Sequence, residues 1–546
     1  MTTTRFASLL AMLLALSALT TRAASTWNLT PENNIWNNKD NWTPMQVPKG
    51  KAETAEFSTS NMAQVSVTTV LTIGTVDFAA GASPFTITVR RGKSLSIASA
   101  VTNESGIVQN FVVSNSSAFI AFYRGANAGS MSQFTVNGSN LAGATGGLIS
   151  FSDLTTASAG SFILNGATVA SGGGGEVTFG VDSFASTASF TVNGATVAGG
   201  SPGLVSFADS STADNAVFTV QGSTVSGASG GMVTFADKAK AQEAVVTNNG
   251  GSVDGALGGL TDFVSGFAGT ATLVANAGTN GGAGGVIRFE EDSDGTGSTV
   301  QVFGNGQLDI STHFGPGVTI GSLAGDGDVA LGANTLTLNG ANGSFTFAGL
   351  MHDDGGLVKT GTDTVAFSSA NTYAGGTLID GGIFFAQNKT GSCTGTGPVV
   401  VDSGILAGPG TIAGAVTIGD GVATAYFAPS KGTTSTTTST IQGALTFGAD
   451  GSYSYKIKFG GNPTSDKVVA GGVTIDDGAT FILQTAGTGA IAVGRVLTAI
   501  SNTSADPITG TFSNLPDGGT LSANGQTFQA SYEGGDGNDL TLTVTQ

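Results

Sequence analysis

The feature that most constrains this sequence is a repeat with a period of about 28 residues. Two series of phenylalanines keep this interval through the first half of the chain. A strict period of this length is typical of a solenoid, because one coil cannot bury its own hydrophobic face whereas stacked coils can. The two series are Phe134, Phe162, Phe190 and Phe218, and Phe151, Phe179, Phe207, Phe235 and Phe263.

Each repeat contains two short segments with the alternation of a β-strand. One is represented by residues 190–192 (Phe-Thr-Val) and the other by residues 204–207 (Leu-Val-Ser-Phe). Alternate side chains of a strand point to opposite faces, so Phe190 and Val192 share one face. Coils stacked about 4.8 Å apart would align the phenylalanines of each series in a buried column. The sequence therefore predicts an all-β chain folded as a parallel β-helix (β-solenoid) with coils of about 28 residues.

The turn after the first strand carries a column of its own with the same period. An amide side chain is followed there by glycine, and we expect the stacked amides to form a hydrogen-bonded ladder. The glycine is expected to supply the positive φ of a tight corner. The sixth amide position holds Ala277, and Phe289 follows Phe263 at less than the full period, so the register loosens near residue 285. The column comprises Asn137, Asn165, Asn193, Gln221 and Asn249, with glycines at Gly138, Gly166, Gly194, Gly222, Gly250 and Gly278.

The composition agrees with this fold class and excludes others. Glycine supplies 86 of 546 residues, but it does not occupy every third position and there are only 12 prolines, which excludes collagen. Hydrophobic residues make up 40% of the chain and charged residues 10%, so a large core can form and general disorder is excluded. The net charge of −18 argues against nucleic acid and anionic membranes as partners.

The single cysteine, Cys393, cannot form an intramolecular disulfide. We interpret it as a small residue in a Gly/Thr-rich turn, in preference to a reactive thiol.

Residues 1–23 have the organisation of a secretory signal peptide. Arg5 supplies the positive charge, residues 6–19 are largely apolar, and cleavage is expected after Ala23 or Ala24. No later stretch reaches the ~20 apolar residues that a transmembrane helix needs. The sequence therefore predicts a protein without a transmembrane segment, secreted or presented at the cell surface.

A different motif lies beyond residue 300. Leu357, Lys359 and Gly361 are followed by a strand-like segment and then by residues 371–377 (Asn-Thr-Tyr-Ala-Gly-Gly-Thr). This stretch resembles the autotransporter-associated β-strand repeat (PATR-like) of secreted bacterial proteins. Residues 40–48 near the start, and residues 511–516 and 532–544 near the end, are similar to the ends of such proteins. The resemblance implies a β-helix presented outside the cell, and it brings no catalytic residues.

Autotransporters of this kind end in a translocating barrel of roughly 8 to 12 strands. Residues 440–546 are too few for one, so we expect this chain to lack that barrel and to use another export route or to stay in the periplasm. The predicted organisation is a signal peptide (1–23), an N-terminal cap with the first coils (24–110), the 28-residue-repeat solenoid (111–300), a solenoid of the autotransporter-associated repeat (301–440) and a C-terminal β region (441–546).

Catalytic motifs are missing from the sequence, and we predict no catalytic residues and no enzyme activity. His313 and His352 are interpreted as surface loop residues. The alternative is a polysaccharide-cleaving enzyme, which needs paired carboxylates. Asp353 and Asp354 beside His352 form the only compact candidate.

Calcium is the one cofactor for which the sequence offers candidates. Acidic residues concentrate in one turn, and a second turn matches a Gly-Gly-x-Gly-x-Asp motif, which binds Ca²⁺ when it is repeated in tandem. Here that motif occurs once, and solvated acidic turns are the alternative interpretation of both segments. The candidate ligands are Glu290, Glu291, Asp292 and Asp294 in the first turn, and Asp536 and Asp539 in the second.

All three tryptophans, Trp27, Trp36 and Trp42, lie just after the signal peptide. A solenoid must cover the open end of its core, so we interpret them as part of a cap. The alternative is a platform on which sugar rings stack.

Taken with the fold, these features predict a structural or adhesive protein of the cell surface without catalytic activity. An extracellular glycan-binding protein is the alternative, followed by the polysaccharide-cleaving enzyme. The expected partners are extracellular polysaccharide or cell-surface components, and the chain is expected to be a monomer.

Overall fold

Strands one coil apart pair in parallel and in register, as the period predicts. Phe162 lies beside Phe190, and Phe179 lies beside Phe207. The computed structural model describes residues 24–546, which form a parallel β-solenoid of about 18 turns with coils of about 26 residues. The predicted signal peptide, residues 1–23, lies outside the described residues.

One side of the solenoid, here called face A, is a sheet of 15 strands. All its pairings are parallel except the first, in which Trp42–Thr43 runs antiparallel to Ala24–Trp27. Because this two-residue strand is short and reversed, it closes the N-terminal edge of the sheet. The remaining strands of face A are Thr54–Phe57, Val70–Phe78, Ser94–Asn103, Phe119–Phe122, Leu148–Phe151, Glu176–Phe179, Leu204–Phe207, Met232–Ala236, Leu260–Val264, Val286–Glu290, Gln307–Asp309, Asp328–Ala330 and Leu350–His352.

A second side, face B, alternates with face A along the chain. A third and shorter side is held by single parallel bridges that link, among others, Thr156, Phe184 and Thr212. The coils of the repeat are therefore three-sided. The strands of face B up to residue 325 are Gln64–Val67, Thr86–Val89, Gln109–Val113, Ser132–Val136, Ser161–Leu164, Ser189–Val192, Val217–Val220, Val245–Asn248, Thr272–Ala275, Gly295–Val302 and Gly317–Gly325.

From Gly317–Gly325 onward, face B divides into two rows of strands. The beginning of this strand pairs with Thr335–Leu338, and its last residue pairs with Phe345–Phe347. The long strands Thr377–Ala386 and Val399–Ala407 belong to both rows. The other strands of the first row are Gly356–Thr360, Val416–Ile418, Leu445–Phe447 and Val473–Ile475. The other strands of the second row are Thr364–Phe367, Ala425–Ala428, Gly451–Lys458 and Thr480–Ala486. A short strand, Thr464–Ser465, pairs antiparallel with Gly451–Lys458.

A third sheet of seven strands completes the C-terminal part. Its first four strands are parallel, whereas the last three pair antiparallel and so end the stack. The strands are Thr411–Ile412, Thr438–Ile441, Lys467–Ala470, Val496–Asn502, Asp539–Val544, Gln526–Gly534 and Thr520–Ala523. Within residues 24–546 the single helix is a 3-10 turn, Lys39–Asn41.

The phenylalanine series form the two predicted interior columns. Phe162 and Phe190 stack with ring centroids 4.9 Å apart, and Phe179 and Phe207 stack at 4.6 Å. The columns also meet each other, since the Phe179 ring contacts Phe190 edge-on at 6.0 Å. These rings are almost completely buried. Aromatic pairs in both favourable geometries therefore fill the core along the axis.

The predicted role of the glycines after the amides was wrong. None of the six has a positive φ; in this loop the positive φ lies five residues later, for example at Gly199 and Gly227. Instead, adjacent coils approach so closely that a Cβ on Gly166 would lie 2.4 Å from the Gly194 carbonyl oxygen. Glycine is needed at these positions because no side chain fits between the stacked backbones.

The amide column continues one coil further than the sequence indicated. Strand Thr272–Ala275 pairs with Val245–Asn248 at an offset of 27 residues, so Asn276 takes the place assigned to Ala277. Asn276 Nδ2 donates to Asn249 Oδ1 at 2.9 Å. The next strand of face A, Val286–Glu290, pairs with Leu260–Val264 at an offset of 26 residues. The offset between paired strands therefore decreases from 28 to 27 and then to 26 residues.

Candidate functional surfaces

A groove follows the amide column on the surface of the repeat and is here called the amide groove. Its volume is about 580 Å³, and it runs across four coils. The amides stand directly after the strands of face B, because each strand ends at the corner where the chain turns. The groove is lined by the amide row Asn137, Asn165, Asn193 and Gln221, by the glycines that follow these amides, and by Thr168, Thr196 and Thr224, here called the threonine wall.

The amide row is hydrogen-bonded on both sides of a gap. Asn165 Nδ2 donates to Asn137 Oδ1 and Asn193 Nδ2 donates to Asn165 Oδ1, both at 3.0 Å. Beyond the gap, Asn249 Nδ2 donates to Gln221 Oε1 at 3.1 Å. The expected bond between Asn193 and Gln221 is missing. Among the described residues, no group pairs with Asn193 Oδ1 or Gln221 Nε2, so a free acceptor and a free donor face the groove.

The threonine wall presents hydroxyl groups of fixed orientation. Thr168 Oγ1 donates to the Ser139 carbonyl at 3.4 Å, and Thr196 Oγ1 donates to the Ala167 carbonyl at 3.2 Å. Both side chains are exposed. Because the hydroxyl protons of Thr168 and Thr196 are engaged by the preceding coil, their oxygen lone pairs remain available as acceptors.

His352 and one of the two aspartates proposed for catalysis, Asp353, form an ion-pair cluster with Asp328 on the outer surface of face A. His352 ends the last strand of that face, with Nε2 3.1 Å from Asp328 Oδ2 and Nδ1 2.8 Å from Asp353 Oδ1. Burial opposes protonation of the ring, but the hydrogen bonds to Asp353 and Asp328 outweigh it and raise the pKa of His352. Both ring nitrogens therefore lie within hydrogen-bonding distance of a carboxylate. Asp354 does not join this cluster.

The first acidic turn has its carboxylates engaged by protein groups or directed to solvent. Glu290 Oε1 lies 3.0 Å from Arg288 Nε, and Glu291 accepts from Ser265 Oγ at 2.8 Å. Asp294 accepts from the backbone N–H of Thr296. Asp292 is exposed. His313 lies near this turn, with Nε2 2.9 Å from the Ser293 carbonyl.

The second acidic turn closes the C-terminal hairpin, where Gly534 pairs with Asp539. Asp539 accepts from the backbone N–H of Asn502 at 3.0 Å, and burial raises the pKa of its carboxyl group. Asp536 is exposed. Nowhere in residues 24–546 do three or more His, Cys, Asp or Glu side chains stand in a metal-binding arrangement. The structure does not assemble either set of candidate Ca²⁺ ligands into a site.

The tryptophans form the interior of the N-terminal cap. Trp27, Trp36 and Trp42 are at most 1% exposed, and the ring of Trp42 packs 5.6 Å from Phe57 of the first coil. Trp42 Nε1 donates to the Trp36 carbonyl at 2.7 Å. The cap prediction is confirmed. The alternative of a sugar-stacking platform does not fit, because no face of these rings is open to a ligand.

The single cysteine lies in a turn whose side chains point into the core. Cys393 is buried, and its Sγ lies 3.3 Å from the Phe367 carbonyl, to which it donates. Burial raises the pKa of the Cys393 thiol to about 12. The side chain therefore stays protonated and inaccessible in the folded protein.

The motif around residues 357–377 is used for internal bonding. Asn371 Oδ1 accepts from the Met351 N–H at 2.8 Å, and Asn371 Nδ2 donates to the Cys393 carbonyl at 2.7 Å. One side chain thus links three coils at the point where face A ends. Tyr373 is buried, with its hydroxyl 2.6 Å from Thr377 Oγ1. Asn371 and Tyr373 therefore stabilise the stack of coils from the interior.

Fold and motif together define the class: a long parallel β-solenoid that carries a transport-associated repeat. Residues 357–384 match the family described as Passenger-associated-transport-repeat, which confirms the resemblance seen in the sequence. No curated protein matches the chain. Among solved structures, the Haemophilus influenzae Hap adhesin is matched with 11% identity and a TM-score of 0.26. That match covers 90% of this chain and 64% of the Hap chain, so this chain spans less than two thirds of the adhesin.

Between Ala24 and Gln546 no helix has the length and apolar character needed to cross a bilayer.

Proposed function

We propose that this protein is exported and serves at the bacterial surface as a structural and adhesive rod. The observation that carries the proposal is the parallel stack of about 18 turns. At ~4.8 Å per coil, such a stack is roughly 90 Å long. A rod of this kind presents long, regular outer faces at a distance from its attachment point, which suits a scaffold or an adhesin.

Two further features support export and surface use. The matched family is described by its association with passenger transport, and the motif residues Asn371 and Tyr373 are interior, so the outer faces are available for contact. The net charge of −18 favours solubility and disfavours stacking of rods side by side.

The proposal is tested by expressing the chain with residues 1–23 in a Gram-negative host, beside a leaderless control. We expect the full chain on intact cells or in the medium, with Ala24 or Ser25 as its first residue by mass spectrometry. We also expect cells that display it to stay on a washed surface in larger numbers than control cells. A chain confined to the cytosol with Met1 intact would contradict export. Equal retention of displaying and control cells would contradict an adhesive role.

A further inference from the structure

We propose that the amide groove binds an uncharged, linear polysaccharide along the axis of the solenoid. The inference deepens the proposed function, on which it rests, because it assigns the adhesive contact to one surface and one ligand class. The groove is straight, since its walls are columns of equivalent residues in stacked coils, and it is open along its length.

The amide groove is lined by uncharged residues. The chain as a whole is acidic, yet the thirteen residues that line the groove are Asn, Gln, Gly, Thr, Ala and Ser. A charged polymer would find no counter-charge there, and burying its charges without partners would be costly. A neutral ligand enters at no such cost, so the lining selects against acidic and basic polymers.

The amide groove also presents polar groups that have no hydrogen-bond partner within the described part of the protein. The gap in the amide row leaves Asn193 Oδ1 as an acceptor and Gln221 Nε2 as a donor, while the threonine wall offers the hydroxyl oxygen of Thr196 as an acceptor. Sugar hydroxyl groups both donate and accept, so one pyranose unit can satisfy both walls at the gap. A site that presents an unpaired donor together with unpaired acceptors gains most from a ligand with this double capacity.

The distance between successive coils sets the spacing of the polar groups along the groove. Equivalent groups recur every ~4.8 Å along the groove, which is the spacing of stacked strands. This step is close to the length of one hexose unit in an extended chain, so successive units meet equivalent amides and hydroxyls. An extended peptide advances ~3.3 Å per residue, so its successive residues do not meet equivalent groups on successive coils. The spacing therefore favours a glycan over a peptide.

The test is calorimetric titration of the purified full chain with neutral hexasaccharides: cellohexaose, laminarihexaose, maltohexaose and mannohexaose. Hexagalacturonate serves as the charged comparison, and a twelve-residue Gly-Ser peptide as the extended peptide. We expect at least one neutral hexasaccharide to bind and the other two ligands not to bind. Failure of all four neutral hexasaccharides to bind would overturn the proposal, as would binding of the peptide or of hexagalacturonate alone.

Three variants locate the binding. Gln221→Asn shortens the side chain by one methylene, so that it can complete the amide row and remove the free donor and acceptor. Thr196→Val removes the hydroxyl acceptor. Thr196→Val is expected to weaken binding about fivefold, the effect of one lost hydrogen bond, and Gln221→Asn, which removes two groups, is expected to weaken it by more than that. Thr219→Val, the matched control, changes an outward threonine of face B that does not line the groove, and should bind like the wild type.

The Gln221→Asn variant separates binding from folding. Completing the amide row is expected to keep or raise the thermal midpoint while binding falls, a combination that damage to the fold cannot produce. Equal affinity of the wild type, Gln221→Asn and Thr196→Val would place the glycan elsewhere and refute the site. Because purified protein is used, the result does not depend on export or cell adhesion, and the two proposals can fail separately.

Discussion

Lys359 and Asp363 form an ion pair inside the solenoid, with Lys359 Nζ 2.6 Å from Asp363 Oδ1. The two side chains are 0% and 5% exposed. They close the turn between strands Gly356–Thr360 and Thr364–Phe367, and Nζ also donates to the Thr360 carbonyl. The carboxylate receives no well-aligned hydrogen bond from the described residues, so the lysine is its main source of stabilisation.

Replacing Lys359 alone should therefore be strongly destabilising. Lys359→Met leaves the Asp363 carboxylate buried without a counter-charge, at an expected cost of about 3–5 kcal/mol in the free energy of unfolding. The measurement is urea denaturation followed by circular dichroism. The double variant Lys359→Met with Asp363→Asn removes both charges and should recover most of the loss. A single variant as stable as the wild type would show that the pair does not stabilise the coil.

Phe190 tests the aromatic columns. Its ring stacks between Phe162 and Phe218 at 4.9 and 4.8 Å, and it is 2% exposed. Phe190→Ala leaves a cavity in a core whose neighbouring coils are held by their own ladders, so collapse is limited and a cost of about 3–5 kcal/mol is expected. Thr191→Ala, at the adjacent outward position, should cost under about 1 kcal/mol. Similar unfolding midpoints for the two variants would contradict the buried column.

The sequence was sufficient to predict the solenoid, both phenylalanine columns and the cap. These features depend on which side chains recur at a fixed interval, and both the side chains and the interval can be read from the sequence. Phe162 and Phe190, for example, are adjacent because equal coils must bring equal positions together. The buried tryptophans followed from the need to cover the end of such a stack.

Other features depend on backbone spacing, which a period does not specify. We predicted a positive φ for Gly166, which follows Asn165. Glycine is instead required at this position because the backbone of Gly194 in the next coil approaches closely. The insertion of Asn276 into the amide row needed the one-residue slip that strand pairing reveals. The gap between Asn193 and Gln221 could have been suspected, because Gln221 is the only member of the column with a longer side chain.

Removing residues 25–50 should convert the protein from a monomer to oligomers or fibres. The deletion removes the antiparallel strand Trp42–Thr43 and most of its partner Ala24–Trp27, and thereby uncovers Thr54–Phe57 as an edge. Exposed edges of this kind template further pairing. Sedimentation velocity should show association with β structure retained. Leu29→Ser, which changes an exposed residue of the same segment, should stay monomeric. A monomeric deletion variant with an unchanged melting temperature would disprove the cap.

The His352 cluster should make stability depend weakly on pH. The pKa of His352 is raised in the folded protein, where the hydrogen bonds to Asp353 and Asp328 outweigh burial. The stabilisation is therefore fully present below the unfolded pKa of about 6.5 and is lost as the pH rises through the higher folded value. Because the side chain is 29% exposed, we expect less than about 1 kcal/mol.

The matched variant for this cluster is His352→Gln, which cannot become charged. The difference in melting temperature between wild type and variant should be largest near pH 5.5 and should shrink toward pH 9. A difference that stays constant, or that grows with pH, would contradict the assigned ion pairs.

Distances between spin labels test the stacked coils most directly. Thr135 and Thr247 occupy equivalent outward positions four coils apart, and Gln301 lies two coils further along the same row. In a Cys393→Ser background, cysteine pairs at 135 and 247 and at 135 and 301 are labelled and measured by pulsed electron resonance. A rise of ~4.8 Å per coil predicts backbone separations of about 19 Å and about 29 Å. Separations that do not increase with the number of coils, or that are several times larger, as in a string of separate domains, would contradict the solenoid.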